Sequence, residues 1–381
     1  MVGYSAGEPK SMHDTFPVDW EHAYQWTIWD GIQEYIDFSS GIFVANVGHN
    51  NIHVMQRLRE ALGTNEVPLS CFTFPNQARK DFIDLLLSIS PSFLDRCCLF
   101  SEGSMANEAA IRLARAFTGK QHCQSENPFE FRANVLAFPG SYHGNTFLLQ
   151  HLDSLERLQP ITAAIIIEGY EGWSARFHDA KMIQNIRRFC SELGVVLIFD
   201  EIQSGFGRTG RMFAFEHYGI EPDLVTFGKG VSSSLPLSGV LGRKDIMECL
   251  DGKELISNTH SGSPLCCVAA KASLEEYLKL ELSEIWWNGD KIGKRLRKLM
   301  RDHSGLVSEI CGRGAVFAIH FFDKDVCDKI TELCIKQGLM LVRTRRGTIK
   351  LGPPLTMPLE VWSMGIDGID EVMSKYENSG H

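Results

Sequence analysis

The stretch Asp223 to Gly230, DLVTFGKG, places a lysine between two glycines directly after an apolar run. The run Leu224–Phe227 is apolar almost throughout, which favours a strand buried on both faces of a sheet. A lysine at the carboxyl end of such a strand is an anion contact, a capped loop residue or a nucleophile. Lys229 is therefore the residue that the rest of the chain has to explain.

Similar apolar runs recur along the chain and alternate with helical patterns. They are RCCLFS, NVLAFPG, AAIIIEG, VVLIFDEI and LSGVLG. Between the first two, SMANEAAIRLARAFTGK has an apolar helical face and ends on Gly119, a typical helix C-cap. The pattern predicts an α/β domain over residues 45–275, with a mostly parallel sheet and helices on both faces.

The two ends of the chain differ from this pattern. Residues 1–44 are rich in aromatic and turn residues, and residues 276–381 mix helical patterns with strands such as GAVFAIHFF and TIKLGPPL. We expect these two segments to form a second, smaller α+β domain.

Composition excludes several classes of function. The net charge of −9 disfavours a nucleic acid or an anionic membrane as partner, since both need a basic surface. No apolar run reaches the roughly 18 residues of a membrane span, and the N-terminus lacks the apolar core of a signal peptide, so we expect a cytoplasmic protein. The eleven cysteines include no C-x-x-C pair. That pattern indicates reduced thiols and predicts no metal site.

Polar residues that end the apolar runs are the candidates for chemistry, because ligands bind outside the carboxyl ends of parallel strands. Asp200 ends VVLIFD, where it either faces a cation or donor or caps a turn. Gly103-Ser104 leads from a strand into a helix, so it either binds a phosphate at the helix N-terminus or Ser104 is a plain N-cap. Tyr142-His143 follows another strand and either stacks on a planar ring or only packs.

Taken together, these features meet the requirements of a pyridoxal phosphate enzyme. Such an enzyme needs a lysine that forms a Schiff base, an acid beside the pyridine nitrogen and an anchor for the phosphate. A P-loop interpretation of FGKGV fails, because Gly230 stands where that motif needs Ser or Thr.

Three motifs carry a resemblance to a known family: DEIQSGFGRTG, PDLVTFGKG and THSGSP. In combination they resemble the class III aminotransferases, the ornithine and 4-aminobutyrate type within fold type I of the pyridoxal phosphate enzymes. The resemblance extends from about WDGIQEYIDF to LGPPL.

The resemblance implies roles for individual residues. Lys229 is the expected Schiff-base lysine and Asp200 the expected partner of the pyridine nitrogen, while Arg208 is expected to be structural. In this family two subunits share each active site, so a homodimer is expected. Gly103 and Ser104 are the implied contacts to the phosphate, and Thr259 is implied to contact the phosphate of the other subunit. Tyr142 and Ile202 are implied on the two faces of the ring, with His143 beside it. Gln203 and Glu168 are implied on the hydroxyl side of the ring.

Two departures from the family pattern concern the substrate. Trp173 replaces a glutamate of the E-P-x-x-G-E motif, and Lys350 replaces the arginine that pairs with it. Lysine lacks the bidentate fork of arginine, so carboxylate binding is either weaker or handled elsewhere. Arg343, in LVRTRRG, is the nearest alternative, although it is equally well explained as a solvated charge. We expect a flat, partly apolar pocket that disfavours ornithine and 4-aminobutyrate.

The expected reaction is ping-pong transfer of an amino group from a small-molecule amino donor to a carbonyl acceptor, with Lys229 as general acid and base. Two alternatives remain open from sequence. One is another reaction on the same scaffold, such as an aminomutase, decarboxylase or epimerase. The other is a binding protein without catalysis, which the retention of Lys229, Asp200 and Gln203 disfavours.

Overall fold

The structure, a computed structural model, describes residues 18–64, 66–119, 135–146, 149, 153–154 and 162–379. The strands, numbered in chain order, are β1 His22–Tyr24, β2 Thr27–Trp29, β3 Glu34–Asp37, β4 Arg96–Phe100, β5 Val135–Ala137, β6 Asp153–Ser154, β7 Ala164–Glu168, β8 Val196–Asp200, β9 Leu224–Phe227, β10 Ser238–Gly242, β11 Val307–Arg313, β12 Val316–Phe321, β13 Leu339–Met340, β14 Val342–Thr344 and β15 Thr348–Leu351.

Helices cover these strands. They are α1 Ile52–Gly63, α2 Gln77–Ile89, α3 Gly103–Thr118, α4 Ala180–Leu193, α5 Lys244–Met247, α6 Pro264–Tyr277, α7 Leu282–Asp302, α8 Lys324–Lys336 and α9 Leu359–Asn378. Within the described ranges, no helix combines the length and the apolar composition needed to cross a membrane.

The largest sheet has seven strands in the order β4-β10-β9-β8-β7-β5-β6. Strand β10 runs antiparallel to its two neighbours, β4 and β9, and the other described neighbouring pairs of this sheet are parallel. Along β8, Leu197 and Phe199 belong to one core cluster and Val196 and Ile198 to another, so both faces of the strand are buried. The continuous apolar runs follow from this double burial, and the predicted α/β fold with a mostly parallel sheet is confirmed.

Helix α3 covers one face of this sheet as the sequence predicts. Its buried side includes Ala106, Ala110 and Ala114, whose small size lets the helix lie close to the strands. It ends at Gly119, whose φ of 66° is left-handed and therefore suits glycine. Its N-terminus points back toward the carboxyl ends of the strands.

Two smaller sheets are built from the ends of the chain. Strands β11, β12, β15 and β14 form an antiparallel sheet, and β1, β2 and β3 pair with β13 from the C-terminal part. The N-terminal and C-terminal segments are thus joined through hydrogen bonds between β3 and β13. The domain boundaries near residues 45 and 275 stay a prediction.

Arg208 connects these parts of the molecule. It is fully buried, and its guanidinium donates to the carbonyls of Ala315 (3.1 Å) and Pro353, to Asn46 Oδ1 (2.5 Å) and to Ser40 Oγ (3.2 Å). Burial lowers the pKa of Arg208 to about 10, so it stays charged at neutral pH. Its planar fork therefore links the loop after β8 to both chain ends.

We predict that Arg208→Lys lowers the free energy of unfolding by about 3 kcal/mol, because a lysine leaves several of these buried acceptors unsatisfied at about 1–3 kcal/mol each. Urea denaturation followed by tryptophan fluorescence measures the loss. Arg295→Lys is the matched control. Arg295 pairs with Asp367 on the exposed surface, so its replacement changes stability by less than about 1 kcal/mol. Equal losses in the two variants would contradict the assigned role.

Candidate active site

The carboxyl ends of β7, β8 and β9 bring three ionisable residues together. Glu168 and Asp200 are aligned as the last residues of neighbouring parallel strands, and Asp200 is aligned with Thr226 of the third. Lys229 follows two residues after the end of β9. This is the edge at which a parallel sheet binds its ligands, as the strand-end residues of the sequence predict.

Lys229 begins a short 3-10 turn, Lys229–Val231, in an unusual backbone conformation. Its φ is 42°, a left-handed value that is uncommon outside glycine and that accompanies functional sites. Within the described part of the chain its ammonium makes no hydrogen bond. Burial lowers the pKa of Lys229, while the charges of Glu168 and Asp200 oppose the shift. The amine is thus closer to its neutral, nucleophilic form than an exposed lysine.

Asp200 is buried and held by three donors. Its Oδ2 accepts from Asn107 Nδ2 and lies by His143 Nδ1, each at 2.8 Å, and its Oδ1 accepts from the backbone N–H of Ile202 at 3.0 Å. The turn-cap alternative for Asp200 describes only the last of these bonds. These bonds fix the orientation of the side chain and leave acceptor capacity on its oxygens.

Asn107 is a site residue that the sequence interpretation missed. Its amide donates to both Asp200 and the carbonyl of His143 (2.8 Å), and its carbonyl accepts from Thr226 Oγ1 at 2.6 Å. The available signal was an asparagine on the apolar face of a helix, where a polar side chain needs buried partners. Asn107 joins helix α3 to β8 and β9.

His143 has one ring nitrogen in use and one free. Nδ1 lies by Asp200, whereas Nε2 is buried without a hydrogen-bond partner among the described residues. Burial by itself lowers the pKa of His143, but the hydrogen bond and charge of Asp200 outweigh it and raise the pKa overall. A buried ring nitrogen without a partner indicates that a bound group completes this site.

Glu168 organises the loop opposite. Its Oε2 accepts from the backbone N–H groups of Tyr142 (2.6 Å) and Gly172 (2.8 Å). Burial raises the pKa of Glu168 to about 7. The charge of His143 lowers this pKa, and the negative charge of Asp200 raises it. Glycine suits position 172, because a Cβ there would lie only 2.8 Å from Gln203 Nε2.

The N-terminus of helix α3 is open to an anion. Glu102 occupies the N-cap position and its side chain makes no capping hydrogen bond. Ser104 lies inside the first turn, so its interpretation as the N-cap is wrong, and the first backbone N–H groups stay available. A Cβ at Gly103 would lie 2.8 Å from Ile202 Cδ1, so glycine permits the close approach of helix and loop.

Lys350 lies in the same site as Lys229. Its Nζ donates to Gln203 Oε1 at 2.8 Å and to the carbonyl of Gly172 at 3.2 Å, and it lies 4.7 Å from the ring centre of Phe43. Burial, together with the charge of Lys229, lowers the pKa of Lys350 to about 7, although Glu168 acts in the opposite direction. The site therefore holds two interacting amines.

Three further predicted residues occupy different places. Trp173 packs edge-on against Tyr142 with ring centres 5.5 Å apart, so it belongs to the site wall. Arg343 pairs with Asp328 on helix α8, and the structure does not group it with Lys229. Thr259 is exposed in a turn and makes no hydrogen bond with the described residues.

The groups present fit pyridoxal phosphate, the cofactor that the resemblance implies. A free amine, a fixed carboxylate, an open helix N-terminus and a buried unpartnered imidazole nitrogen correspond to its aldehyde, pyridine nitrogen, phosphate and ring substituents.

Known proteins resemble this chain over most of its length. The family described as aminotransferase class-III matches residues 10–152 and 147–373. The 5-aminovalerate aminotransferase of Pseudomonas aeruginosa is 32% identical over 93% of this chain and 92% of its own length. The acetylornithine aminotransferase of Methanocaldococcus jannaschii is 28% identical over 90% of each chain. The crystal structure of the ornithine aminotransferase from Toxoplasma gondii ME49 has a similar fold, with a TM-score of 0.86 and 23% identity over 96% of this chain and 93% of that chain.

We predict that Asn107→Ala lowers the free energy of unfolding by about 2–4 kcal/mol, because it removes one donor from Asp200 and the partners of the His143 carbonyl and the Thr226 hydroxyl, all of them buried. Urea denaturation measures the change. Asn185→Ala, on the exposed side of α4, is the control and changes stability by less than about 0.5 kcal/mol. Asn107 has no role in the network if both variants unfold at the wild-type urea concentration.

Proposed function

Because this chain belongs to the class III aminotransferase family and is a pyridoxal phosphate-dependent aminotransferase, we propose that Lys229 is its catalytic lysine and that Lys350 binds a carboxylate of its substrates. The observation that carries the proposal is the pair of buried, interacting lysines, Lys229 after β9 of the large sheet and Lys350 on β15, held beside Gln203. The two amines have different surroundings, and this difference separates their roles.

Pyridoxal phosphate supplies an electron sink for a substrate carbon next to nitrogen. We assign Gly103 and Ser104 to hold its phosphate, with Asp200 and His143 beside its ring nitrogen. Tyr142 and Ile202 are assigned to its faces, and Glu168 and Gln203 to its hydroxyl side. All eight assignments rest on the positions of these side chains at the carboxyl ends of the strands.

Lys229 is suited to move a proton between the substrate carbon and the cofactor. A general base has to be neutral near the working pH, and burial lowers the pKa of Lys229 in that direction. Its amine makes no hydrogen bond with described residues, so rotation of the side chain breaks none. The 3-10 turn that begins at Lys229 fixes the backbone from which this side chain extends, just after the end of β9.

Lys350 is suited to bind a carboxylate because its buried charge lacks a counter-ion. Its hydrogen-bond partners are the neutral oxygens of Gln203 and Gly172, and the rings of Phe43 and Tyr170 lie 4.7 and 4.9 Å away. No carboxylate of the described residues forms an ion pair with it. A buried ammonium of this kind is stabilised strongly by a substrate anion. The proposed acceptor is therefore a keto acid.

Trp173 limits the shape of the substrate. Its ring and that of Tyr142 form an apolar corner next to Gly172. A second charged group on the substrate would lose its hydration against this corner without gaining a partner. We therefore propose a donor whose side chain is flat or apolar, in preference to ornithine or 4-aminobutyrate, and we propose that the enzyme works in the cytoplasm.

We predict that Lys350→Met raises KM for a keto acid acceptor at least about tenfold. It leaves KM unchanged for the matching aldehyde, which lacks only the carboxyl group, since only the keto acid carries a carboxylate. Steady-state transamination assays with a matched acceptor pair measure this difference. Arg343→Met is the control, because Arg343 pairs with Asp328, and it changes neither KM. Equal effects on both acceptors would remove the carboxylate role from Lys350.

The same site predicts a pH dependence. Lys350 is charged below its pKa of about 7 and neutral above it, so kcat/KM for the keto acid falls as pH rises through 7. The aldehyde lacks this loss. Lys350→Arg stays charged throughout and abolishes the difference between the two acceptors. A keto acid profile that is the same in wild type and Lys350→Arg is inconsistent with the proposal.

We further propose a homodimer in which Thr259 completes the phosphate site of the partner subunit. Thr259 is exposed and its hydroxyl is unused within the described part of its own chain. Arg79 holds this turn by donating to the carbonyls of Ser261 (2.6 Å) and Phe72 (2.5 Å). Phe72 and Phe74 are exposed beside it, as expected for apolar residues that a second subunit covers.

The shared site predicts recovery of activity in mixed dimers. Lys229→Ala and Thr259→Asp are each inactive alone, the first for lack of the lysine and the second because a carboxylate repels phosphate. A heterodimer of the two contains one intact site, so an equal mixture regains about one quarter of the wild-type activity. Transamination after verified subunit exchange measures it. If Thr259 serves its own chain, the mixture stays inactive.

A further inference from the structure

Three metal-ligand side chains lie together on the antiparallel sheet, outside the active site. Glu309 of β11 is directly opposite His320 of β12, and Cys311 lies two residues further along β11, on the same face. One ligand atom of each residue lies within 4.8 Å of the others. Zinc binds nitrogen, oxygen and sulfur ligands at roughly 2.0–2.3 Å, so a small inward rotation of these side chains brings all three within reach of one ion.

Within the described part of the chain, His320 has one ring nitrogen beside a hydroxyl and one without a hydrogen-bond partner of ordinary geometry. Its Nδ1 lies 3.0 Å from Thr348 Oγ1, and the side chain is 6% exposed. Its Nε2 is buried and has no hydrogen-bond partner among the described residues. Histidine ligands commonly donate one ring N–H to an oxygen and bind the metal through the other nitrogen. The unpartnered Nε2 is what distinguishes this cluster from an ordinary surface group of polar residues.

Glu309 has one oxygen occupied and one facing the cluster. Arg176 donates to Oε2 through both Nε and Nη2, whereas Oε1 accepts from the Cys311 thiol at 3.1 Å. The guanidinium therefore orients the carboxylate without using Oε1. A cation between Oε1, the sulfur and the imidazole would replace the thiol proton.

We propose that Glu309, Cys311 and His320 bind a zinc-type divalent cation. A thiolate, an imidazole and a carboxylate suit zinc, and the soft thiolate disfavours magnesium or calcium. On binding, the Cys311 thiol releases its proton to solvent and a sulfur–metal bond forms. The negative charges of Cys311 and Glu309 then balance the ion, and three protein ligands leave one position for water.

The site is joined to the substrate region through packing. Cys311 packs against the cluster that contains Phe43 and Tyr170, the two rings that contact Lys350. Arg176 lies three residues after Trp173 in the loop that lines the active site. An ion held here fixes this loop to the antiparallel sheet. Because its ligands come from two strands, the cluster forms no recognisable sequence motif, and the sequence prediction of no metal site stays a prediction that cobalt binding tests.

Cobalt substitution tests the site directly. Holoenzyme stripped of trace metals by a chelator is titrated with Co²⁺, and difference spectra are recorded against the same holoenzyme without cobalt. We expect one Co²⁺ per chain, visible ligand-field bands of a tetrahedral site and a sulfur-to-cobalt charge-transfer band. One equivalent of Zn²⁺ removes them. Folded wild-type holoenzyme that binds no cobalt in the millimolar range overturns the proposal.

Variants identify the ligands. Cys311→Ser removes the charge-transfer band, and Thr348→Val, which loses only the hydroxyl by His320, weakens binding about 10–100-fold. Cys266→Ser is the matched control, a partly buried cysteine on helix α6, and its spectra equal those of wild type. If circular dichroism shows that His320→Gln does not fold, Glu309→Gln replaces it as the test variant. Glu309→Gln is a mild change at a half-buried position, and it also weakens binding. A charge-transfer band that persists in Cys311→Ser overturns the assignment, whatever the activity of the enzyme.

Discussion

A buried carboxylate at the end of a central strand is the constraint on which the site depends. Asp200 is buried and its carboxylate needs hydrogen-bond donors in place of water, and Asn107, His143 and the backbone N–H of Ile202 supply them. Each donor comes from a different segment, so the need to satisfy one charge fixes helix α3, the loop after β5 and the turn after β8 relative to one another. Hydrogen bonds to a buried carboxylate therefore hold this edge of the sheet together in addition to packing.

The two lysines follow from the same low-dielectric environment. Burial lowers the pKa of both Lys229 and Lys350, and the charge of Lys229 lowers the pKa of Lys350 further. Their surroundings then separate the roles. Lys229 makes no hydrogen bond with described residues, while Lys350 is held by Gln203 and the carbonyl of Gly172. One amine is free to react and the other is fixed in position.

Arg208 and Arg176 show how charged side chains join the large sheet to the smaller ones. Arg208 satisfies carbonyl and side-chain oxygens from both chain ends in a fully buried position, and Arg176 reaches from the loop that carries Trp173 to Glu309 on the antiparallel sheet. The contacts of Arg208 contribute strongly to stability, because its buried acceptors would lose their hydrogen bonds without the guanidinium. The contact of Arg176 is half-exposed and weaker in itself, yet it orients one oxygen of Glu309 toward Cys311 and His320.

The sequence by itself determined the central strands of the large sheet, helix α3 and the positions of Glu168, Asp200 and Lys229 at or just after strand ends, because apolar periodicity and glycine punctuation are local properties of the chain. Only the tertiary structure decided that Asn107 joins Asp200 to Thr226, that Lys350 lies beside Lys229 while Arg343 pairs with Asp328, and that His320 lies opposite Glu309. These contacts join residues that are distant in the chain or on separate strands. No local pattern encodes them, since they arise only when packing fixes which polar groups lose water and must find one another.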